Sequence, residues 1–108
     1  MNLTTEVFGD VMVVHAPDEL GAELAGQLSA YLSSRRRWRI VFDLDGTELI
    51  DSAGLTALLD AQDQLRQKGG QMRIATSNPT NRKILEITRL DRQLEVFSSV
   101  IEAVKSFQ

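Results

Sequence analysis

The sequence predicts a single α/β domain over residues 1–108, with a mixed sheet of four or five strands, an N-terminal hairpin and about four helices. Two observations carry this. Short β-rich runs alternate with segments whose apolar residues recur at helical spacing, and such alternation implies parallel inner strands. The length of 108 residues suits one domain, which buries roughly 60–70% of its unfolded surface.

Leu3, Thr5 and Val7 have the two-residue period of a half-buried strand. Gly9-Asp10 then separates them from Val11-Met12-Val13-Val14. A two-residue Gly-Asp link between β-rich runs is a hairpin signal. Pro17-Asp18 ends the second strand, and Asp18 is positioned to cap a helix carrying Leu20, Leu24, Leu28, Tyr31 and Leu32 on one face. Arg35, Arg36 and Arg37 fall at its end, where positive charge suits the helix dipole.

Ile40-Val41-Phe42-Asp43-Leu44 is nearly continuous in apolar character and predicts a strand buried on both faces. Asp45-Gly46 breaks it, and a brief apolar patch, Leu49-Ile50, leads to Asp51-Ser52. A second helix is expected over 53–68, with Leu55, Leu58, Leu59, Gln62 and Leu65 as its stripe and Ala57 and Ala61 beside it. Gly69-Gly70 stops it. A strand follows over 72–76. Asn78-Pro79 opens a third helix with Ile84, Leu85, Ile87 and Thr88, proline being tolerated at the first position. Leu94-Glu95-Val96-Phe97 predicts an edge strand. Ser98-Ser99 begins a last helix with Val100, Ile101, Val104 and Phe107. The expected order is ββαβαβαβα.

Composition narrows the functions. Apolar residues make up 43% and charged residues 25%, the proportions of an ordinary globular protein. A net charge of −3 argues against nucleic acid as a partner, because phosphate binding needs a basic field. The absence of cysteine removes disulfides, thiolate metal sites and a thiol nucleophile, and agrees with a cytoplasmic location. No secretory leader is visible, and no apolar run approaches the ~20 residues needed to cross a bilayer, so no direct membrane insertion is expected.

The informative stretch is 44–59. Asp51 and Ser52 stand between a buried strand and a helix, and either could be the N-cap. The same geometry would hold a serine hydroxyl exposed and rigid. A phosphate there brings about −1.5 to −2 charges, which the free amides and positive dipole end of a helix tolerate.

Asp51-Ser52-Ala53-Gly54-Leu55 resembles the Asp-Ser-Ser-Gly-Leu signature of STAS-domain anti-sigma factor antagonists. The resemblance extends to Gly69-Gly70-Gln71-Met72 and to the helix after Asn78-Pro79, and it covers about 11–107. Two positions depart from the family pattern. Ala53 replaces the second serine, and Ala16-Pro17-Asp18-Glu19-Leu20 looks shorter than the Gly-Glu-Leu-Asp-like stretch common there. The resemblance implies that Ser52 is the phosphoacceptor and Asp51 its orienting neighbour. It implies a partner-binding surface of Asp51, Ser52, Ala53, Gly54, Leu55 and Thr56. The implied partners are an anti-sigma factor serine kinase, bound by the unmodified form, and a serine phosphatase that resets the cycle. No catalytic residue and no cofactor are implied. STAS-like domains also serve as accessory subunits or tails of membrane transporters, which would need no phosphate cycle, and small-molecule binding is a third possibility.

Other features favour plainer readings. Arg35-Arg36-Arg37-Trp38-Arg39 fits a charged helix end with Trp38 over the core edge better than a nucleic-acid patch. His15 is the single histidine and has no sequence neighbour for metal or triad chemistry, so a structural role is expected. Asp43, Asp45, Glu48 and Asp51 gather near one strand end, but no lysine follows the next strand as a response-regulator metal site would need, and no metal is expected. No Walker-type or dinucleotide glycine loop and no hydrolase nucleophile elbow are present.

Overall fold

The structure is a computed structural model that describes residues 3–34 and 39–107. Five strands form one sheet in the order β1-β2-β4-β6-β7. They are β1 Thr4–Phe8, β2 Val11–His15, β4 Arg39–Asp43, β6 Gln71–Ala75 and β7 Glu95–Phe97. Only β1 runs antiparallel to its neighbour. The helices are α1 Ala22–Ser34, α2 Ser52–Gln67, α3 Pro79–Ile87 and α4 Val100–Lys105. The mixed sheet, the hairpin and the four helices match the sequence expectation. Two short strands, β3 Glu19–Leu20 and β5 Leu49–Ile50, were not expected; they pair in parallel as a separate ladder. A 3-10 turn, Leu90–Arg92, is a further addition.

Strand composition decides position in the sheet. In β4, Ile40, Val41 and Phe42 are all buried, as a strand covered on both faces requires. One core contains Met12, Val14, Ile40, Phe42, Met72 and Ile74 from the sheet with leucines of α1, α2 and α3. The other face carries Val11, Val13, Val41 and Ala75, covered by Ala103 of α4 with Val100, Val104 and Phe107. Thus α1–α3 lie on one side and α4 on the other. Of the stripe expected for the last helix, Val100, Val104 and Phe107 pack inward as expected, but Ala103 takes the place of Ile101. Ala103 is buried and Ile101 is 67% exposed.

The hairpin turns at Gly9, whose φ is +64°, a conformation that favours glycine. Val7 and Phe8 pair with Met12 and Val11. The expected half-burial of β1 does not hold. All five of its residues are exposed, with Val7 at 50% and Phe8 at 46%. Leu3, just before the strand, packs against the larger core, but helix coverage ends at β2.

The first helix also begins later than expected. Asp18 does not cap it. The Asp18 carbonyl accepts the Glu48 and Leu49 amides at 2.8 and 3.1 Å, and Leu20 is buried from β3 instead of from the helix. At the far end of α2, Gly69 has φ +80°. Its amide bonds Arg66 O at 3.0 Å and the Gly70 amide bonds Leu65 O at 2.7 Å, a Schellman stop. Arg35, Arg36, Arg37 and Trp38, with their expected helix-end and core-edge roles, lie outside the described residues. Among the described residues no helix is long and apolar enough to cross a membrane.

Candidate functional site

The loop 44–51 carries the chain from the centre of the sheet to Ser52, and hydrogen bonds hold it along its length. The Leu44 amide donates to Ala75 O at 2.9 Å. Thr47 is fully buried, and its hydroxyl donates to Pro17 O at 2.8 Å. Asn81, 1% exposed, donates through Nδ2 to Leu44 O at 3.1 Å and Thr47 O at 3.0 Å. The Asp51 amide donates to Leu20 O at 3.0 Å. Buried carbonyls need such donors, so Asn81 is a structural determinant of the loop. Sequence reasoning missed it, because an asparagine three residues past a cap reads as surface.

The chain enters α2 at Asp51, which is extended at φ −105°, ψ 176°. Its Oδ1 accepts the Gly54 amide at 2.9 Å. Asp51 is therefore the N-cap, which settles the choice the sequence left open. A helix start has four orphan amides. Here the Asp51 amide is taken by Leu20 and the Gly54 amide by Asp51 itself. The Ser52 and Ala53 amides have no acceptor among the described residues.

Ser52 opens the helix and is exposed. Its carbonyl accepts the Thr56 hydroxyl at 2.9 Å, while its own hydroxyl bonds no described residue. Asp51 and Thr56 are also exposed, Ala53 is half-buried, and Gly54 and Leu55 are buried. The six residues of the sequence-predicted surface thus divide. Asp51, Ser52 and Thr56 face solvent, while Gly54 and Leu55 pack inward. Gly54 is there for space: a Cβ on it would lie 2.5 Å from the Leu20 carbonyl oxygen. That contact seats the start of α2 on β3.

A groove of about 520 Å³ opens beside the helix start, with Glu19, Gly21, Glu23, Leu49, Ile50 and Asp51 in its lining. Leu49 is exposed, so the groove has an apolar patch beside three carboxylates.

The four carboxylates near the strand end do not converge. Asp51 caps α2. Asp45 Oδ1 accepts the Ser77 amide at 2.6 Å and its hydroxyl at 3.1 Å. Asp43 Oδ1 accepts the Asp45 amide at 3.0 Å and its Oδ2 meets His15 Nδ1 at 2.8 Å. Glu48 stays exposed. No group of three His, Asp or Glu among the described residues is arranged to hold a metal ion.

His15 has partners that the sequence did not reveal. Besides Asp43, its Nε2 lies 2.6 Å from Glu6 Oε1. Burial lowers its pKa, but the hydrogen bonds and charges of Asp43 and Glu6 outweigh this, and the net shift is upward. Arg39, the one described member of the basic run, pairs with Asp10 at 2.8 Å.

The model of the STAS domain family matches residues 2–103. An anti-sigma F factor antagonist of Paenibacillus polymyxa is 25% identical over 114 residues, which cover 100% of this chain and 97% of that protein. Among solved structures, an anti-sigma factor antagonist from Mycobacterium paratuberculosis superposes with a TM-score of 0.84 at 21% identity, covering 97% of this chain and 92% of that one. The Bacillus anti-sigma factor antagonist SpoIIAA is similar in two forms. The unphosphorylated form gives a TM-score of 0.78 at 19% identity, with 98% and 96% of the chains covered. The phosphorylated form gives 0.70 at 18% identity, with 99% and 100% covered. With the family model spanning nearly its whole length and the sheet, hairpin and helices in agreement, the chain belongs to the STAS domain family.

Proposed function

We propose that this protein is a cytoplasmic anti-sigma factor antagonist switched by phosphorylation of Ser52. In this reading the unmodified form binds a kinase-type anti-sigma factor, and a serine phosphatase restores it after modification. The observation that carries the reading is the Ser52 hydroxyl, exposed at the first position of α2 and, among the described residues, unbonded and beside two amides without acceptors. Because Asp51 performs the capping, phosphate on Ser52 removes no bond that the fold uses. The free amides and the helix dipole favour the added negative charge. The names of the relatives support the same role, and one of them is known in a phosphorylated form.

The test is intact mass after incubation with ATP and the candidate kinase. Wild type should gain one phosphate. Ser52→Ala should bind the unmodified-form partner normally and gain none. Ser52→Asp should bind at least about tenfold more weakly, the scale of an unfavourable charge contact at an interface. Phosphate retained by Ser52→Ala, or undiminished binding by Ser52→Asp, would sink the reading. Co-purification with a membrane ATPase and no modification would favour a transporter-accessory role.

A further inference from the structure

On the α4 side of the sheet, away from the face that α2 covers, His15 stands between two carboxylates from different strands. Asp43 belongs to the central strand β4 and Glu6 to the edge strand β1. We propose that His15 is a proton-operated latch that fastens β1 to the rest of the sheet when the imidazole carries both protons and loosens it when one proton leaves.

Both ring nitrogens face acceptors, at 2.8 Å to Asp43 and 2.6 Å to Glu6. Only the imidazolium can donate in both directions. The neutral ring has one N–H and must turn a lone pair toward one carboxylate. The two carboxylates are unequal in freedom. The Asp43 side chain is 13% exposed and is also tied to the Asp45 amide, whereas the Glu6 side chain is 58% exposed. When the proton leaves, Nδ1–H stays with Asp43, and Glu6 swings into water.

That leg matters because, among the described residues, β1 is an edge strand of the sheet. All its residues are exposed, and its one sheet neighbour is β2. Asp43 and Glu6 are the charged groups that act on His15, and both raise its pKa against the effect of burial. A group with a raised folded pKa contributes stability that is fully present below its unfolded pKa. That contribution is lost as pH rises through the folded pKa. The latch is therefore closed in mildly acid solution and opens on the alkaline side of the ordinary histidine range.

Titration of the His15 ring by NMR, with amide exchange of β1 followed over the same pH range, tests this on the intact protein. His15 should titrate above the ordinary histidine value. Protection of the β1 amides, corrected for the intrinsic pH dependence of exchange, should fall roughly two- to fivefold through that titration, the scale of a partly exposed ion pair. Glu6→Gln should lower the His15 pKa, and His15→Gln should remove the pH dependence of β1 protection while leaving β6 unchanged. A His15 pKa at or below the ordinary value would overturn the proposal. So would a protection step that persists in His15→Gln. The latch does not depend on Ser52, so its failure would leave the phosphorylation reading standing.

Discussion

Replacing Gly54 by alanine tests whether this glycine serves space or chain freedom. Its φ is not in the left-handed region, so alanine meets no backbone strain there. The obstacle is contact: the new Cβ would lie 2.5 Å from Leu20 O, 2.7 Å from Leu20 C and 2.9 Å from Leu20 Cβ. Two of those atoms are backbone, and Leu20 O already accepts the Asp51 amide. Relief requires α2 and β3 to separate. Overpacking of this kind costs about 1–3 kcal/mol. Restriction of the unfolded chain returns about 0.4–1 kcal/mol, which leaves a net loss of about 1–2 kcal/mol. At about 4 °C per kcal/mol for a domain of this size, Tm falls by about 4–8 °C. Gly26 is the internal control. It lies inside α1 with nothing within 4 Å of its added Cβ, so Gly26→Ala should raise Tm by about 2–4 °C through better helix propensity. Thermal unfolding of the two variants side by side decides the matter. A neutral or stabilising Gly54→Ala would refute the packing of α2 on β3.

Two further substitutions probe how Ser52 is held. Asn81→Ala leaves Thr47 O without a donor in a buried place, while Leu44 O keeps the Thr47 amide at 3.0 Å. The expected loss is about 2–3 kcal/mol, read as a lower urea midpoint at unchanged slope. Asp51→Ala removes the side-chain cap of α2 and should cost about 1 kcal/mol, whereas Asp51→Asn, which can still cap, should lose little. A thermal melt showing equal losses for the two would contradict the capping role.

Much of the fold was legible because composition and position agree. The buried runs of β2 and β4 are continuous in apolar residues, β6 buries Met72, Ile74 and Ala75 around Arg73, and α2 repeats leucine and alanine at helical spacing between Asp51 and Gly69. Asn78 and Ser99, at the two places where the sequence started a helix, are side-chain caps in the structure. What escaped was set by tertiary contact. Strands β3 and β5 have two residues each, too few for any period to register. Leu20 falls four residues before Leu24, so it counted toward a helix. The close seat at Gly54 draws it into an extended segment instead. Either Asp51 or Ser52 could cap by type. The bond from the Asp51 amide to Leu20 O fixes residue 51 just outside the helix and so frees the serine. The partners of His15 lie 9 and 28 residues away, a separation that only the register of three strands closes.

The charge around Ser52 bears on where a phosphate would be felt. The adjoining groove carries Glu19, Glu23 and Asp51, with no lysine or arginine in its lining. A phosphate there would find two free amides and a helix dipole, which together offer modest stabilisation, and no lining cation on which to fold the surrounding loops. Asp51 is already committed to the Gly54 amide, so repulsion from it would press the phosphate outward instead of breaking the cap. The loop itself is fixed from beneath by Thr47 and Asn81. In the proposed switch, the consequence of modification would therefore fall on whatever faces Ser52. A partner that is itself the kinase must bring a nucleotide to that hydroxyl. After transfer, its bound diphosphate and the new phosphoserine would be like charges at close range and would repel. Under the proposed switch, dissociation of a kinase partner would follow from the product of its own reaction.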